Sequence, residues 1–343
     1  MASTCLRKDQ QANWLAKLSE SFAVFVPVGT ENHVHWQRHA PPGSPGTTQS
    51  PVPALEEIRA AEPVKAFLFS SRETVAGLPD PLTPGPAEKR VLFGVKACDL
   101  AALAAQKKMF LEGEFADPFY KARLDNTVLV AADCPNPADS CFCSLVGGKP
   151  WAESGADLVV SVVDGDWLLE PLTKRGEELV MQSGAGLAPA LDRQVARRDE
   201  QRKAAVQKLA EVNPTALPAD LPARLHKRET DRAFYREHAA SCVECFGCLM
   251  TCPTCYCFLL YDRAKEGGME RTKTWDACYL GAYQRVGGGA NPRGEFLKRF
   301  SNRFECKFEH FKNANGFYAC SGCGRCFKVC MGKIDIRKVL GSA

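Results

Sequence analysis

Residues 242–253, with the sequence CVECFGCLMTCP, and residues 320–330, with the sequence CSGCGRCFKVC, decide how the C-terminal third of the chain folds. Both carry four cysteines at the spacing Cys-x2-Cys-x2-Cys-x3-Cys. Two-residue spacers let a tight loop present three sulfurs to a cubane, and in two-cluster ferredoxins the fourth cysteine binds the other cluster. The repeat therefore predicts two [4Fe–4S] clusters with crossed ligands: Cys242, Cys245, Cys248 and Cys330 for the first, and Cys320, Cys323, Cys326 and Cys252 for the second.

The alternative is zinc, which would make the protein a zinc-stabilised interaction module. Tetrahedral zinc sites usually combine two short-spaced pairs of Cys or His residues, so they do not need a third cysteine at the same spacing. Disulfides suit small secreted proteins, whereas this chain has 343 residues and shows no export signal, which predicts a cytoplasmic protein. The seventeen cysteines therefore indicate metal binding, with clusters favoured over zinc.

A further group of cysteines lies in the N-terminal part of the chain. Cys98 follows the strand-like run 91–95, and Cys134 follows the run 127–132. Neighbouring parallel strands open at the same edge of a sheet, where ligands bind. A third [4Fe–4S] cluster is therefore predicted at Cys98, Cys134, Cys141 and Cys143. Buried or redox-active thiols, or a zinc site, are the alternatives.

Strand-like apolar runs alternate with helical patterns in this part of the chain. The strands are predicted at 22–28, 64–69, 91–95, 127–132 and 157–163, the helices at 10–19 and 100–110, and a loop at 41–53. Such alternation is typical of an α/β domain with a largely parallel sheet. A charged stretch at 191–212 predicts a long exposed helix, and the prolines that follow it end the first domain at residue 222.

The second domain, residues 223–343, contains both cysteine motifs. Sixty-seven residues separate Cys252 from Cys320, more than a compact β-hairpin ferredoxin uses. The insert is expected to add helices, which favours an α-helical ferredoxin-like dicluster domain. Crossed ligands hold two clusters close together, so this domain would conduct electrons.

Charge and composition exclude several other functions. From His226 onward the chain has 20 Lys+Arg against 12 Asp+Glu. Each bound cluster with four thiolates carries about −2 when oxidised. Two clusters would therefore cancel about half of the excess positive charge, and no nucleic-acid partner is predicted. No apolar run approaches the roughly 18 residues of a membrane span, and no G-x-G-x-x-G fingerprint for NAD or FAD is present.

Several smaller features are expected to be structural. Asp99 is a candidate N-cap for the helix after Cys98, and Lys96 either offsets cluster charge or is solvated. Cys5 is expected to be inert. Three histidines are expected to be surface residues: His33, His35 and His39. Four further thiols are expected to pack beside the clusters: Cys255, Cys257, Cys278 and Cys306.

The order and spacing of these motifs resemble the family that includes the A subunit of anaerobic sulfite reductase and the β subunit of sulfhydrogenase-type [NiFe] hydrogenases. The matching stretches, between about residues 63 and 337, are FGVKACDL at 93–100, CFCS at 141–144, CPTCYCF at 252–258, WDAC at 275–278, CSGCGRC at 320–326 and IDI at 334–336. The chain departs from the family's usual sequence at Lys96, Ala97 and Met331 without losing a cysteine.

The resemblance implies an iron–sulfur electron-transfer subunit of a soluble oxidoreductase complex, with no catalytic residue of its own. Its expected partners are a diaphorase-like subunit that binds flavin and NAD(P), and a catalytic subunit of the NiFe hydrogenase or sirohaem reductase type. An enzyme that uses the N-terminal cluster for substrate is the alternative.

Overall fold

The computed structural model describes residues 3–40, 52–79, 82–182 and 186–343, so most of the loop predicted at 41–53 lies outside the described residues. Its strands are β1 (Thr4–Leu6), β2 (Ala23–Gly29), β3 (Val34–Arg38), β4 (Arg72–Leu78), β5 (Arg90–Val95), β6 (Thr127–Ala132), β7 (Leu158–Val163), β8 (Asp166–Pro171), β9 (Leu187–Pro189), β10 (Phe258–Lys265) and β11 (Gly268–Trp275).

Its α-helices are α1 (Gln11–Ser21), α2 (Lys65–Leu68), α3 (Ala97–Phe110), α4 (Pro118–Asp125), α5 (Lys174–Met181), α6 (Asp192–Val212), α7 (Leu221–Arg228), α8 (Arg232–Ala239), α9 (Gly247–Met250), α10 (Phe296–Glu305), α11 (Phe311–Asn315), α12 (Arg325–Lys328) and α13 (Ile336–Gly341). A π-helical turn, Cys306–His310, joins α10 to α11. No helix of the described residues is long and apolar enough to cross a bilayer.

The N-terminal half folds around an eight-stranded mixed sheet with strand order β3-β2-β5-β6-β7-β8-β1-β9. Its centre, β2-β5-β6-β7, is parallel, while the flanking strands pair antiparallel. The predicted mixture of parallel strands and helices is confirmed, but the sheet is not largely parallel. Between β7 and β8 the turn residues Asp164 and Gly165 both have positive φ, which suits a two-residue hairpin and so makes that pair antiparallel.

Helices cover both faces of the parallel strands, which is why β6 is buried along its whole length. On one face, Trp14 of α1 packs against Phe93 of β5 and Trp167 of β8, with ring centroids 5.6 and 6.1 Å away. On the other face, Leu103 of α3 packs in the same apolar cluster as Leu92 of β5. These two layers hold the carboxyl ends of β5 and β6 side by side.

Replacing Trp14 by alanine is expected to lower the free energy of unfolding by about 3–5 kcal/mol, because it empties the centre of this layer. Phe115→Ala is the control, since Phe115 is 84% exposed and its loss should cost less than about 0.5 kcal/mol. Urea denaturation under anaerobic conditions, followed by far-ultraviolet circular dichroism, measures both. Equal midpoints for the two variants would contradict the core position of α1.

The strand predicted at 64–69 is wrong, because this segment contains the short helix α2. A brief apolar run has no periodicity that separates a strand from one turn of helix. Three apolar side chains of the segment are fully buried: Val64, Leu68 and Phe69. The apolar run therefore belongs to the core, but its backbone is helical and not extended.

The insert between the two cysteine motifs begins with a hairpin rather than a helix. Strands β10 and β11 pair from Phe258↔Trp275 to Lys265↔Gly268, and β11 also pairs with β4. The two halves of the chain therefore share a three-stranded antiparallel sheet. The expected helices occupy only the second part of the insert, where Phe300 and Phe304 of α10 lie against Tyr235 of α8.

Candidate metal centres

The four cysteines of the first predicted cluster line one cavity. The lining includes Cys242, Cys245, Cys248 and Cys330, together with Tyr279, Phe300 and Arg303. Cys330 belongs to the second motif, so the fold carries it across to the first, as crossed ligation requires. All seventeen cysteines are free thiols. Four thiols around one cavity fit a cubane, which takes one thiolate per iron.

The cysteines of the second set also lie together, in a more buried place. Burial raises the pKa of the Cys326 thiol to about 11, and Cys323 and Cys252 lie near it. Burial likewise raises the pKa of Cys320, which has Cys326 and Cys252 nearby. The thiols of Cys320 and Cys326 therefore hold their protons until a metal displaces them, so metal binding at these two residues releases protons.

Both motifs wrap their sulfurs with the same backbone conformation. Positive φ values occur two and four residues after the first cysteine of each motif: 50° at Glu244, 58° at Phe246, 64° at Gly322 and 71° at Gly324. Left-handed residues between right-handed ones turn successive N–H groups inward and form the anion-binding nest of many iron–sulfur sites. Burial raises the pKa of Cys242 and Cys320, and backbone N–H groups of Glu244 and Gly322 offset part of that rise.

The third group also converges. One cavity is lined by Cys98, Cys134, Cys141 and Cys143 together with Arg59, Lys96 and Cys323. Cys98 stands in the first turn of α3, directly after β5, and Cys134 lies two residues beyond β6. Because β5 and β6 are parallel, both thiols emerge at the same edge of the sheet.

The loop that carries Cys141 and Cys143 packs directly on the second motif. The Phe142 N–H donates to the Gly322 carbonyl at 2.8 Å. A Cβ atom on Gly322 would lie 2.5 Å from Cys143 Cα, and one on Gly324 would lie 2.2 Å from a backbone oxygen. Both glycines are therefore required for this close approach as well as for their positive φ.

Buried cations surround these thiols. Of these cations, only Lys96 is predicted from the sequence to offset cluster charge. Lys96, Arg303, Lys307 and Arg325 are each at most 6% exposed. Lys96 Nζ donates to the Asp133 carbonyl at 2.7 Å, so Lys96 is buried and hydrogen-bonded rather than solvated. Lys307 Nζ lies 3.4 Å from Cys252 Sγ. The signals in the sequence were weak: Lys307 adjoins Cys306, and Arg325 lies inside a motif.

Arg325 links the second motif to the third group. Its guanidinium donates to both carboxylate oxygens of Asp99, at 2.9 and 2.8 Å, and both residues are buried. The prediction of Asp99 as an N-cap is wrong, since α3 begins at Ala97 after Lys96. An acid beside Cys98 therefore pairs with an arginine between Cys323 and Cys326.

Among the described residues, neither the three histidines nor Cys5 belongs to a group spaced to hold a metal ion. His39 is buried and lies 3.0 Å from Ser19 Oγ, and Cys5 contacts Asp166 and Gln194. Across residues 3–40, 52–79, 82–182 and 186–343, no three Cys, His, Asp or Glu side chains are spaced to hold a single metal ion. Thiolates around one zinc ion would lie within about 4 Å of one another.

Comparison with known proteins agrees with this arrangement. Residues 241–334 match the family model described as a 4Fe-4S dicluster domain. Sulfhydrogenase 2 subunit beta of Pyrococcus furiosus is 30% identical over 299 residues, covering 84% of this chain and 84% of that protein. Both predicted features, a 4Fe-4S dicluster domain and a relationship to a sulfhydrogenase β subunit, are confirmed. The chain belongs to the sulfhydrogenase β-subunit family.

Proposed function

We propose that this chain is a one-electron relay between larger subunits of a soluble oxidoreductase complex. The observation that carries the proposal is the convergence of Cys330 on the cavity of Cys242, Cys245 and Cys248, while Cys252 lies with the cysteines of the second motif. Bound [4Fe–4S] clusters would supply one-electron redox chemistry. The crossed cysteines hold the two centres next to each other.

The third centre extends the relay. Cys98 and Cys323 line the same cavity, and the loop of Cys143 packs on the second motif. We assign Cys98, Cys134, Cys141 and Cys143 to a third cluster on these grounds. The order is then third, second and first centre, with the first near the surface, where Cys245 is exposed.

An exposed apolar surface lies next to the first centre and suits a partner subunit. Val243 is 66% exposed and Met331 75% exposed, and both adjoin cysteines assigned to that centre. The named relative is a subunit of a sulfhydrogenase, so we propose that a catalytic subunit of the NiFe hydrogenase or sirohaem reductase type docks at one end of the relay. A diaphorase-like subunit with flavin and NAD(P) would dock at the other. The reduced thiols that these centres need suit the cytoplasm.

The proposed centres are divided between two domains. We propose that residues 1–222 form an α/β domain with the third centre and that residues 223–343 form an α-helical ferredoxin-like dicluster domain. The hairpin of β10 and β11 is an addition to that domain and joins it to β4. The Cys-x2-Cys-x2-Cys-x3-Cys spacing of both motifs supports clusters over a zinc-stabilised module, because tetrahedral zinc sites usually take two short-spaced pairs of donors.

Replacing Cys98 by alanine is expected to remove about four iron atoms and four sulfides per chain, since one thiolate of a cubane is lost. Cys5→Ala, which alters a thiol remote from the three centres, is the matched control. Iron and acid-labile sulfide of anaerobically purified protein are measured, along with bleaching of the brown absorbance by a reduced viologen. Unchanged iron in the Cys98 variant would overturn the third centre, and a colourless, zinc-loaded wild type would overturn the relay.

Replacing Lys307 by methionine is expected to lower the midpoint potential of the second centre by on the order of 100 mV, because a nearby positive charge stabilises the added electron. Lys298→Met is the control, since Lys298 is exposed on α10. Redox titration followed by electron paramagnetic resonance measures both variants. Equal shifts in the two variants would contradict a specific effect of Lys307 on the centre.

A further inference from the structure

Five cysteines remain outside the three centres, and four of them, all except Cys5, lie in one region of the fold. The strand register brings two of them together: β10 and β11 end at the pair Phe258↔Trp275, and the Asp276 N–H donates to the Cys257 carbonyl at 3.0 Å. Cys278 follows two residues later, and its thiol lies close to that of Cys257. The hairpin therefore brings these two thiols near each other.

Cys306 approaches the same place from the helical side. It is the first residue of the π-helical turn after α10, and such turns occur frequently at functional sites. Its thiol lies near those of Cys257 and Cys278 and near the Tyr256 hydroxyl. Cys255 directly precedes Tyr256 in the sequence, and its side chain lies beside Cys252 of the second centre.

Two buried ammonium groups face this cysteine group. Lys65 is 3% exposed and Lys307 is 6% exposed. Lys65 Nζ donates to the Cys255 carbonyl at 3.1 Å, and the thiols of Cys255 and Cys257 lie near it. The thiols of Cys255 and Cys306 lie near the Lys307 ammonium group.

These two lysines have no carboxylate partner. Among the ion pairs of the described residues, neither Lys65 nor Lys307 appears, whereas the buried Lys273 has two acidic partners. A buried charge is costly unless it is paired. Lys65 Nζ lies over the Trp275 ring, and Lys307 Nζ donates to Thr254 Oγ1 at 2.8 Å. The acidic groups near both lysines are thiols, among them Cys252 of the second centre, so cysteine sulfur or a group bound to it is the source of compensating negative charge.

We propose that Cys255, Cys257, Cys278 and Cys306 bind a fourth [4Fe–4S] cluster, next to the second centre. The group has one thiol for each iron of a cubane. It lies between the hairpin and the π-helical turn, and Cys255 borders Cys252. The fourth centre would be a side branch or a terminal electron carrier of the proposed relay.

The experiment measures iron and acid-labile sulfide in the full chain after anaerobic reconstitution. Wild type should contain about sixteen of each, against about twelve for three centres. Cys278→Ala and Cys257→Ala should each lose about four iron atoms, Cys5→Ala none, and the Cys98→Ala/Cys278→Ala double variant about eight. The wild-type value does not depend on any variant folding.

About twelve iron atoms in wild type, unchanged in Cys278→Ala, would overturn the fourth centre and leave the proposed relay intact. A wild type with eight or fewer, together with unchanged iron in Cys98→Ala, would instead overturn the three-centre relay. A loss of about four in Cys278→Ala that adds to the loss in Cys98→Ala supports a separate fourth centre.

Discussion

Replacing Cys330 by alanine is expected to remove the same four iron atoms as replacing Cys242, although the two residues are 88 positions apart in the sequence. Both side chains line the same cavity, and a cubane that loses one of four thiolates is released or degraded. The paramagnetic resonance spectra of the two reduced variants should therefore lack the same signal. Transfer of electrons from a reduced donor through the first centre should be abolished in both.

The crossed arrangement is distinguished from an uncrossed one by a third variant. If each motif bound its own cluster, Cys330→Ala would match Cys320→Ala and not Cys242→Ala. The reciprocal test uses Cys252→Ala, which should match Cys320→Ala because Cys252 is a close neighbour of Cys320. Cys5→Ala again serves as the control, with full iron content and an unaltered spectrum.

The centres were predictable from the sequence to the extent that covalent spacing determines them. The motifs around Cys242 and Cys320 have fixed intervals that few other chemistries need, and the strand runs before Cys98 and Cys134 predicted a shared edge of the sheet. Their ligation stays a prediction, but the structure places each set of four side chains together.

The residues that surround the sulfurs were not predictable in this way. Lys307 and Arg325 act at positions set by tertiary packing, and a single lysine or arginine in a sequence has no pattern that separates a buried cation from a solvated one. The hairpin of β10 and β11 was missed for a similar reason. Its residues alternate weakly in polarity, and its third strand, β4, comes from almost two hundred residues earlier.

Replacing Asp99 by alanine is expected to lower the stability of the protein by about 3–5 kcal/mol, because the Arg325 guanidinium would stay buried without its counter-charge. The pair is bidentate, and the side chains are 2% and 3% exposed. Asp125→Ala is the control. Its partner Lys121 is on the same helix turn, and both side chains are more than half exposed, so that pair should contribute less than about 1 kcal/mol.

The expected difference corresponds to a fall in the apparent melting temperature on the order of 10 °C for Asp99→Ala and almost none for Asp125→Ala. Removing both charges, in Asp99→Ala/Arg325→Met, should recover much of the loss, since an uncompensated charge costs more than an apolar replacement of the pair. Anaerobic thermal denaturation followed by circular dichroism measures all three variants. Equal melting of Asp99→Ala and Asp125→Ala would show that Arg325 does not need its partner, and the two halves of the chain would then be held together chiefly by the shared sheet of β4, β10 and β11.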